Sequence, residues 1–272
     1  MKSAASTLDQ RSILWLKDWI QEHTGIIFPE QKISLLEQRL ASLCVRLGYS
    51  NCQTIVDELK SDASTGLVHQ VIDIATTNHT HFFREIEAIE YLINDIVPQY
   101  QLNEHLRLWS AASSSGEELY TIALLLTKRY SLHDIKTRFS FLGTDVNPKV
   151  VDQAEKGIYT THRLNEVPAE YINKWFSPMG LDTWSVSDDI KKLCLFRRLN
   201  LLNYPWPFSR LFHVVFLRNI LYYFEPKTQE IILNNIYEVT TPGGWLITSV
   251  TESFTTIQVK WKRVKAGVYR KL

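Results

Sequence analysis

The segment LRLWSAASSSGEELYTIALLLTKR, residues 106–129, decides the fold. Its first six residues are predominantly apolar and predict a buried strand over 106–111. A turn rich in serine follows and ends at Gly116, and the remainder predicts a helix over 117–129. A strand, a short turn and a helix in this order form the repeating unit of parallel sheets that are covered by helices.

The same unit recurs along the rest of the chain. We predict further strands over 139–144, 214–217 and 245–250, and helices over 86–96, 148–155 and 226–239. The end of the chain has apolar residues on each side of Ala266-Gly267, which predicts a terminal hairpin. The sequence therefore predicts an α/β, Rossmann-like fold whose sheet is parallel with an antiparallel edge. The stretch 160–198 interrupts the alternation and is interpreted as a small inserted subdomain.

The first 75 residues predict only helices. Two apolar stripes with helical spacing end at Gly25 and Gly48, and a third helix is expected over about 52–74. In the second helix Lys32, Arg39 and Arg46 are seven residues apart, so they share one face. That face is either an ordinary solvated surface or a docking surface for an acidic helix.

Composition excludes several classes of function. The chain has 272 residues with a net charge of +1, which gives no bulk attraction to nucleic acid or anionic lipid. It contains neither an apolar run long enough to span a bilayer nor a CxxC pair, so we expect no membrane insertion and no metal. Its three cysteines fit the reducing cytoplasm.

The segment TTNHTHFFRE, residues 76–85, is a dense group of hydrogen-bonding side chains. It combines Asn78, Thr80 and Arg84 with two histidines around a pair of phenylalanines. Such a segment is not needed for packing, whereas a site for a polar, zwitterionic ligand needs these donors and acceptors. The histidines are interpreted as rim residues and not as metal ligands.

Further polar residues follow the predicted strands, where ligands bind in open α/β sheets. Glu117 and Glu118 begin the helix after the first strand, which disfavours a pyrophosphate and favours an amine-bearing ligand, although acids also simply cap helices. Asp145 ends the second strand and suits ribose hydroxyls, while Asn147 is the better helix cap. Arg218 follows a buried strand and must be paired, either with a ligand carboxylate or in a structural ion pair.

Five segments in order carry a resemblance to the CheR-type chemotaxis receptor methyltransferases. They are TTNHTHFFRE at 76–85, LRLWSAASSSGEELYTIALLL at 106–126, FLGTDVNPKVVDQAEKGIY at 141–159, FRRLNLL at 196–202, and FHVVFLRNILYYFEPKTQEIILNNI at 212–236 with TPGGWLITSVTES at 241–253. The last segment keeps Glu252 and Ser253, for which no role follows. The insert has one glycine, Gly180, and lacks the glycine-rich loop of members that tether to a receptor's C-terminal peptide, which argues against tethering.

The resemblance implies a fold and a division of the chain. An N-terminal helical domain over 1–75 docks the target. A Rossmann-like methyltransferase domain over 76–272 binds S-adenosylmethionine and contains the inserted subdomain at about 160–198.

The resemblance also implies the site residues. Asn78, Thr80 and Arg84 contact the cofactor, Glu118 holds its amino group, and Asp145 takes the ribose hydroxyls. Asn200 and Leu201 flank the adenine, and Asn219 and Ile220 line the floor near the sulfonium. The residues expected around the methyl-transfer position are Arg84, Arg218 and Tyr223.

The implied activity is methylation of receptor glutamates, with S-adenosylhomocysteine as the product. A glutamate side chain, with an ordinary pKa of about 4.3, is already ionised at neutral pH, so the reaction needs no general base. The partners are chemoreceptor cytoplasmic helices, and the enzyme is expected to be a cytoplasmic monomer. Two alternatives remain open at this point: a signalling module that binds the cofactor without turnover, and a small-molecule carboxyl methyltransferase.

Overall fold

The computed structural model describes residues 8–61, 64–252, 254 and 257–272, so Ser253 lies outside the described residues. The α-helices are α1 (Gln10–Thr24), α2 (Ile33–Leu47), α3 (Gln53–Ser61), α4 (Thr65–Ala75), α5 (Ile86–Tyr91), α6 (Glu117–Leu126), α7 (Leu132–Arg138), α8 (Pro148–Lys156), α9 (Ala169–Trp175), α10 (Asp188–Lys191) and α11 (Pro226–Glu238). The strands are β1 (Leu106–Ser110), β2 (Phe139–Asp145), β3 (Ile158–Thr160), β4 (Phe176–Pro178), β5 (Thr183–Val186), β6 (Cys194–Arg198), β7 (Phe212–Phe216), β8 (Thr240–Ile247), β9 (Lys262–Lys265) and β10 (Val268–Arg270).

The N-terminal helices form a bundle around their own apolar core. Helices α1 and α2 end at Gly25 and Gly48 as the sequence predicts, and both glycines are left-handed, with φ of 75° and 77°. The expected single third helix is wrong, because the chain forms α3 and α4 instead. A new helix starts there because the Ser64 side chain accepts a hydrogen bond from the Leu67 N–H and so caps α4.

Helix α7 was not anticipated from the sequence. It begins with a capping box in which the Ser131 hydroxyl accepts from the Asp134 N–H and the Asp134 carboxylate accepts from the Ser131 N–H. The capping-box pattern at 131–134 is therefore the signal that the apolar periodicity alone did not show. Strand β8 starts at Thr240, so the expected turn at 241–244 lies inside this strand. The pairing of β8 with β7 shifts register there.

Seven strands form the large sheet in the order β6-β2-β1-β7-β8-β10-β9. The first five are parallel to one another, and β10 and β9 add the antiparallel edge that the terminal hairpin predicts. The chain leaves β1 toward β2 on one side and returns to β7 on the other. The strand order therefore reverses at β1, and ligands bind beyond the carboxyl ends of the strands at such a point.

The two faces of the sheet carry separate cores. Leu108, Val214 and Phe216 point into the core that includes α5 and α6, while the neighbouring Trp109 and Val215 point into the core that includes α11. This alternation follows from the two-residue period of a strand. Because both faces are covered, the central strands are apolar at nearly every position.

A separate three-stranded antiparallel sheet, in the order β3-β5-β4, forms between α8 and β6. It occupies part of the expected insert at about 160–198. That expectation also included β6, which pairs with residues 141–145 of β2 and therefore belongs to the large sheet. The difference arises because β6 is short and mostly exposed, so its sequence lacks the apolar run of a central strand.

The helical bundle packs directly on the large sheet. Asn147 donates to the side chains of Asp73 and Thr76, and Lys149 forms an ion pair of 2.9 Å with Asp73. These contacts join α4 to α8 beside the end of β2. Within the described ranges, helices that are both long enough and apolar enough to cross a membrane are absent.

Candidate functional site

A cavity lies at the carboxyl ends of the parallel strands, where the helical bundle covers them. Its walls come from the segments that follow β1, β2, β6 and β7, from residues 76–84, and from the end of α1. The cavity measures about 1010 Å³ when the open solvent at its mouth is included.

The cavity brings together the residues that the sequence singled out across 146 positions of the chain. Each of the eleven lines it, and they are Asn78, Thr80, Arg84, Glu118, Asp145, Asn200, Leu201, Arg218, Asn219, Ile220 and Tyr223. Their convergence follows from the topology, because parallel strands deliver their following loops to one edge. Their individual roles stay predictions.

Asp145 is the carboxylate at the end of β2. Its Oδ2 accepts from the Ser114 N–H at 2.9 Å and its Oδ1 accepts from the Asn147 N–H at 3.0 Å. Burial raises the pKa of Asp145 to about 6, although the backbone N–H groups oppose the shift. Asn147 caps α8 through the Lys149 N–H, so Asp145 is not the cap of that helix and faces the cavity.

Glu118 and Arg218 form an ion pair on the cavity wall. The Arg218 guanidinium donates to Glu118 Oε2 at 2.9 Å, and the Ser110 hydroxyl donates to Glu118 Oε1 at 2.8 Å. Only 4% of the Arg218 side chain is exposed. Arg218 therefore has its partners within the protein, which corresponds to the structural ion pair that the sequence left open, and orientation of a substrate carboxylate by this residue stays a prediction.

Glu85 is a second carboxylate beside Arg218, and the sequence interpretation did not assign it a role. Its Oε1 accepts from the Asn219 side-chain amide at 3.0 Å and from the Ser249 hydroxyl at 3.2 Å. Its Oε2 is 3.4 Å from the Arg218 guanidinium. Burial raises the pKa of Glu85, but the bond from Asn219 and the charge of Arg218 outweigh it, so the pKa lies below its ordinary value.

Glu252 is a buried carboxylate directly behind the cavity wall. Its two oxygens accept four backbone N–H groups at 2.8–3.1 Å, those of Asn219, Ile220, Leu221 and Ser249. Burial raises the pKa of Glu252, and the four backbone bonds oppose that rise. The sequence kept this residue in a motif without a role, whereas the structure shows it holding the loop after β7.

The 76–84 wall is held from below by the inserted region. Arg163, on the 3₁₀ helix Thr161–Leu164, donates to the carbonyl of Thr80 and to Glu117 Oε1. Glu117 is completely buried, and burial raises its pKa against the opposing charge of Arg163. Within the same wall, Arg84 donates to the carbonyl of His79 at 2.8 Å. The inserted subdomain thus supports the predicted cofactor-contacting loop.

The helical bundle closes the opposite side of the cavity. The Asn200 side chain donates to the carbonyl of His23 at 2.7 Å, and the carbonyl of Tyr223 accepts from the Ile27 N–H at 2.8 Å. The Asn200 amide is therefore engaged with the end of α1, and its predicted contact with adenine stays a prediction. Tyr223 packs against the ring of Tyr222, with 4.5 Å between centroids.

In the part of the chain that the structure describes, four non-glycine residues have left-handed backbone conformations, and all of them belong to the cavity or its direct support. They are Phe83, Glu85, Ser114 and Asn219, with φ between 45° and 62°. Such conformations are uncommon outside glycine and cluster where the surrounding structure imposes them. The backbone is thus strained at the loops that carry the predicted site residues.

Arg39 does not belong to a free basic face. Its guanidinium donates to the carbonyls of Ile74 and Thr76 and to the hydroxyl of Thr77. This residue therefore anchors the C-terminus of α4 and the start of the 76–85 segment. Lys32 and Arg46 are exposed, so only these two of the three expected docking cations lie open on the surface of the bundle.

The donor set fits S-adenosylmethionine. Two hydroxyl groups of residues that line the cavity, those of Ser113 and Ser114, are buried without a hydrogen-bond partner in the protein. Carboxylates suited to an ammonium group and to ribose hydroxyls stand beside them at Glu118 and Asp145. Over residues 8–61, 64–252, 254 and 257–272 there is no group of three or more potential metal ligands, and the expectation that no metal takes part stays a prediction.

The two overlooked carboxylates had a signal in the sequence. Glu252 comes five residues after β8, at the same sheet edge as Asp145, so the strand-end rule that identified Asp145 also applies to it. Glu85 lies in the 76–85 segment, but its left-handed conformation is not evident from the sequence, and its partners Asn219 and Ser249 are far away in the chain. The contacts that connect Glu85 with Glu252 therefore depend on the tertiary structure.

Comparison with known proteins adds independent findings. A family model described as CheR methyltransferase, SAM binding domain, matches residues 78–270, and another described as CheR methyltransferase, all-alpha domain, matches residues 11–76. The Chemotaxis protein methyltransferase of Borreliella burgdorferi is 32% identical over 241 residues, covering 86% of this chain and 85% of that protein. Chemotaxis protein methyltransferase Cher2 of Pseudomonas putida is 29% identical over 92% of each chain. A Probable chemotaxis protein methyltransferase of Rhizobium etli is 33% identical, covering 84% of this chain and 87% of that protein.

Proposed function

This chain belongs to the CheR methyltransferase family, and we propose that it methylates glutamate side chains on the cytoplasmic helices of chemoreceptors, with S-adenosylmethionine as the methyl donor. The observation that carries the proposal is the cavity at the sheet's carboxyl edge, where residues from five separate segments supply the donors and acceptors that this cofactor needs. Neither the non-catalytic module nor the small-molecule enzyme is favoured by the comparisons.

Several residues would hold the cofactor. Glu118 would accept hydrogen bonds from its ammonium group and Asp145 from its ribose hydroxyls, and Asn78 and Thr80 would donate to its carboxylate. Leu201 and Asn200 would flank the adenine, and the backbone at 219–220 would form the floor near the sulfonium. The charge balance supports this assignment, because the carboxylates within and behind the wall outnumber the guanidinium groups and so favour a cation.

The bound cofactor supplies an electrophilic methyl group on a sulfonium. A carboxylate oxygen of the target glutamate would form the new bond to carbon, and the electron pair of the broken carbon–sulfur bond would stay on sulfur. Two charges disappear along this path, so a dry site favours transfer and excessive stabilisation of the separate ions opposes it. The protein's contribution is therefore mainly orientation.

Arg84 and Tyr223 are the residues best placed to orient the carboxylate. Arg84 keeps 27% of its side chain exposed at the cavity, and one hydrogen bond to the carbonyl of His79 fixes it. Tyr223 also lines the cavity, and its carbonyl accepts from the Ile27 N–H. We assign Arg218 a supporting part, because it holds Glu118 and the carbonyl of Arg84.

We assign target docking to residues 1–75, and the reaction to a monomer in the cytoplasm. The exposed Lys32 and Arg46 support docking of an acidic helix. Changing both to Gln should weaken methylation of a receptor fragment, and raised salt should remove the difference. Arg39 is unsuitable for this test, since its loss would also release the 76–85 segment. The matched control changes Lys262 and Arg263, two exposed residues of β9 with the same total charge, and should leave methylation unaltered.

Radiolabelled methyl transfer tests the reaction. Incubation with a chemoreceptor cytoplasmic fragment should give label that mild base releases, as expected for a methyl ester. Arg84→Ala should abolish the label, and Arg210→Ala, at an exposed arginine outside the cavity lining, should retain it. Binding of S-adenosylhomocysteine without any base-labile label would instead identify a non-catalytic module. Label on small carboxylic acids but not on the fragment would identify the small-molecule enzyme.

A further inference from the structure

We propose that Glu85 and Glu252 act together as a carboxylate clamp that positions the loop after β7 for methyl transfer. Neither Glu85 nor Glu252 is among the residues that line the cavity. The clamp is defined as these two carboxylates with the two residues they share, Asn219 and Ser249. The role of the clamp rests on the proposed function, whereas its existence rests on hydrogen bonds within the protein.

The first half of the clamp is a backbone nest. The N–H groups of three consecutive residues, 219 to 221, converge because Asn219 has a left-handed φ of 57°. Such a concave row of N–H groups normally binds an anion. Here Glu252 fills it, with only 6% of the residue exposed. A protein carboxylate therefore takes the position of the anion and stabilises a left-handed backbone conformation, which is uncommon outside glycine and which asparagine tolerates better than most residues.

The second half ties the same residues to the 76–85 segment. Glu85 accepts from the side chains of Asn219 and Ser249, whose backbone N–H groups both donate to Glu252. Each shared residue is thus held twice, once by its backbone and once by its side chain. Because Glu85 directly follows Arg84, the clamp ties the segment that carries Arg84 to the loop after β7, which leads to Tyr223.

This arrangement has a specific consequence for Glu252→Gln. The amide has nearly the shape of the carboxylate, but one of its two terminal atoms becomes a donor. In either orientation of the amide, two of the four N–H groups then face an N–H₂ group instead of an oxygen. The substitution should loosen the loop without removing bulk from the core.

Amide hydrogen exchange, measured without added cofactor, reports on the backbone hydrogen bonds to Glu252. In Glu252→Gln the amides of residues 219–221 and 249 should exchange at least about 10-fold faster, because hydrogen bonds to a charged acceptor are roughly twice as strong as neutral ones. Amides of β1 should exchange as in the wild type. Arg138→Met, at a buried arginine on α7 that binds carbonyls away from the cavity, is the control for general destabilisation.

Kinetics test the positioning role. Glu85→Gln and Glu252→Gln should each lower kcat for the receptor fragment by more than they raise KM for S-adenosylmethionine, and Arg138→Met should change neither. If the carboxylates form one clamp, the loss of kcat in the double variant should be smaller than the product of the single losses by at least about 5-fold.

Either of two results overturns the inference: unchanged exchange at 219–221 in Glu252→Gln, or losses of kcat that multiply independently in the double variant. Should Glu252→Gln fail to fold, Glu85→Gln alone still decides, since it must accelerate exchange at residues 219 and 249 for the clamp to exist. Failure of the proposed function appears differently, as a wild-type protein that transfers no methyl group while its exchange pattern still shows the clamp.

Discussion

Arg218→Met removes the guanidinium on which the cavity wall depends. Arg218 donates to Glu118 at 2.9 Å and to the carbonyl of Arg84 at 2.7 Å, and it lies 3.4 Å from Glu85. Methionine fills a similar volume but leaves both carboxylates without their cation. The variant therefore separates the charge of Arg218 from its bulk.

The expected loss of stability follows from the burial of the three groups. Removing one partner of a buried ion pair costs about 3–5 kcal/mol. Glu118 and Glu85 retain 16% and 28% exposure of their side chains, and water can partly solvate them once the guanidinium is gone. We therefore expect a loss near the lower limit, about 3 kcal/mol in the free energy of unfolding. For a chain of this length that corresponds to a decrease in Tm of about 6–12 °C.

Urea denaturation followed by circular dichroism measures this loss. Adding Glu118→Gln to Arg218→Met should restore at least about 1 kcal/mol, because the double variant no longer leaves that carboxylate unpaired. At a temperature where the variant is folded, turnover should fall at least about 100-fold, since Glu118 and Arg84 both lose their orientation. Arg138→Met should be destabilised and yet keep its turnover.

Two outcomes would refute this reasoning. The first is wild-type turnover together with unchanged binding of S-adenosylhomocysteine in Arg218→Met, which would mean that the ion pair supports neither ligand binding nor transfer. The second is the absence of any recovery in the double variant, which would mean that the two charges do not interact energetically.

Three further predictions concern other parts of the site. Burial raises the pKa of Asp145 to about 6. Protonation removes an acceptor as the pH falls through that value, so affinity for S-adenosylhomocysteine should drop by up to about tenfold per pH unit below 6. In titration calorimetry, Asp145→Asn should bind S-adenosylhomocysteine weakly and show no such pH dependence. Gly25→Ala should lose more stability than Gly48→Ala, although both glycines have φ near 75°. The reason is that a Cβ at Gly25 would lie 2.9 Å from an aromatic ring, whereas a Cβ at Gly48 would meet nothing within 4 Å. Equal losses in urea denaturation would contradict this packing role of Gly25. Arg163→Met should destabilise the protein by about 3 kcal/mol at pH 7, since it leaves the buried Glu117 unpaired, and Glu117→Gln in the same chain should recover part of that loss; no recovery would show that the ion pair does not support the loop.

Local patterns predicted the secondary structure well where the local signal was strong. Apolar runs of strand length marked β1 and β7, and the left-handed glycines marked the ends of α1 and α2. Prediction failed where the signal was weak or was provided by caps. The break before α4 depends on the hydroxyl of Ser64, and β6 is an exposed edge strand that becomes recognisable only through its partner β2.

The sequence by itself determined the fold class, the family and the set of residues that meet at the cavity. It could do so because strand-end residues in a parallel sheet necessarily gather at one edge, whatever the details of packing. The tertiary structure alone decided how those residues pair. Arg218 binds Glu118 and Glu85, Arg39 anchors a loop instead of facing a partner, and Glu252 fills the nest at Asn219. Such pairing depends on distances of about 3 Å between groups that lie more than 30 positions apart in the chain, and local sequence patterns do not encode those distances.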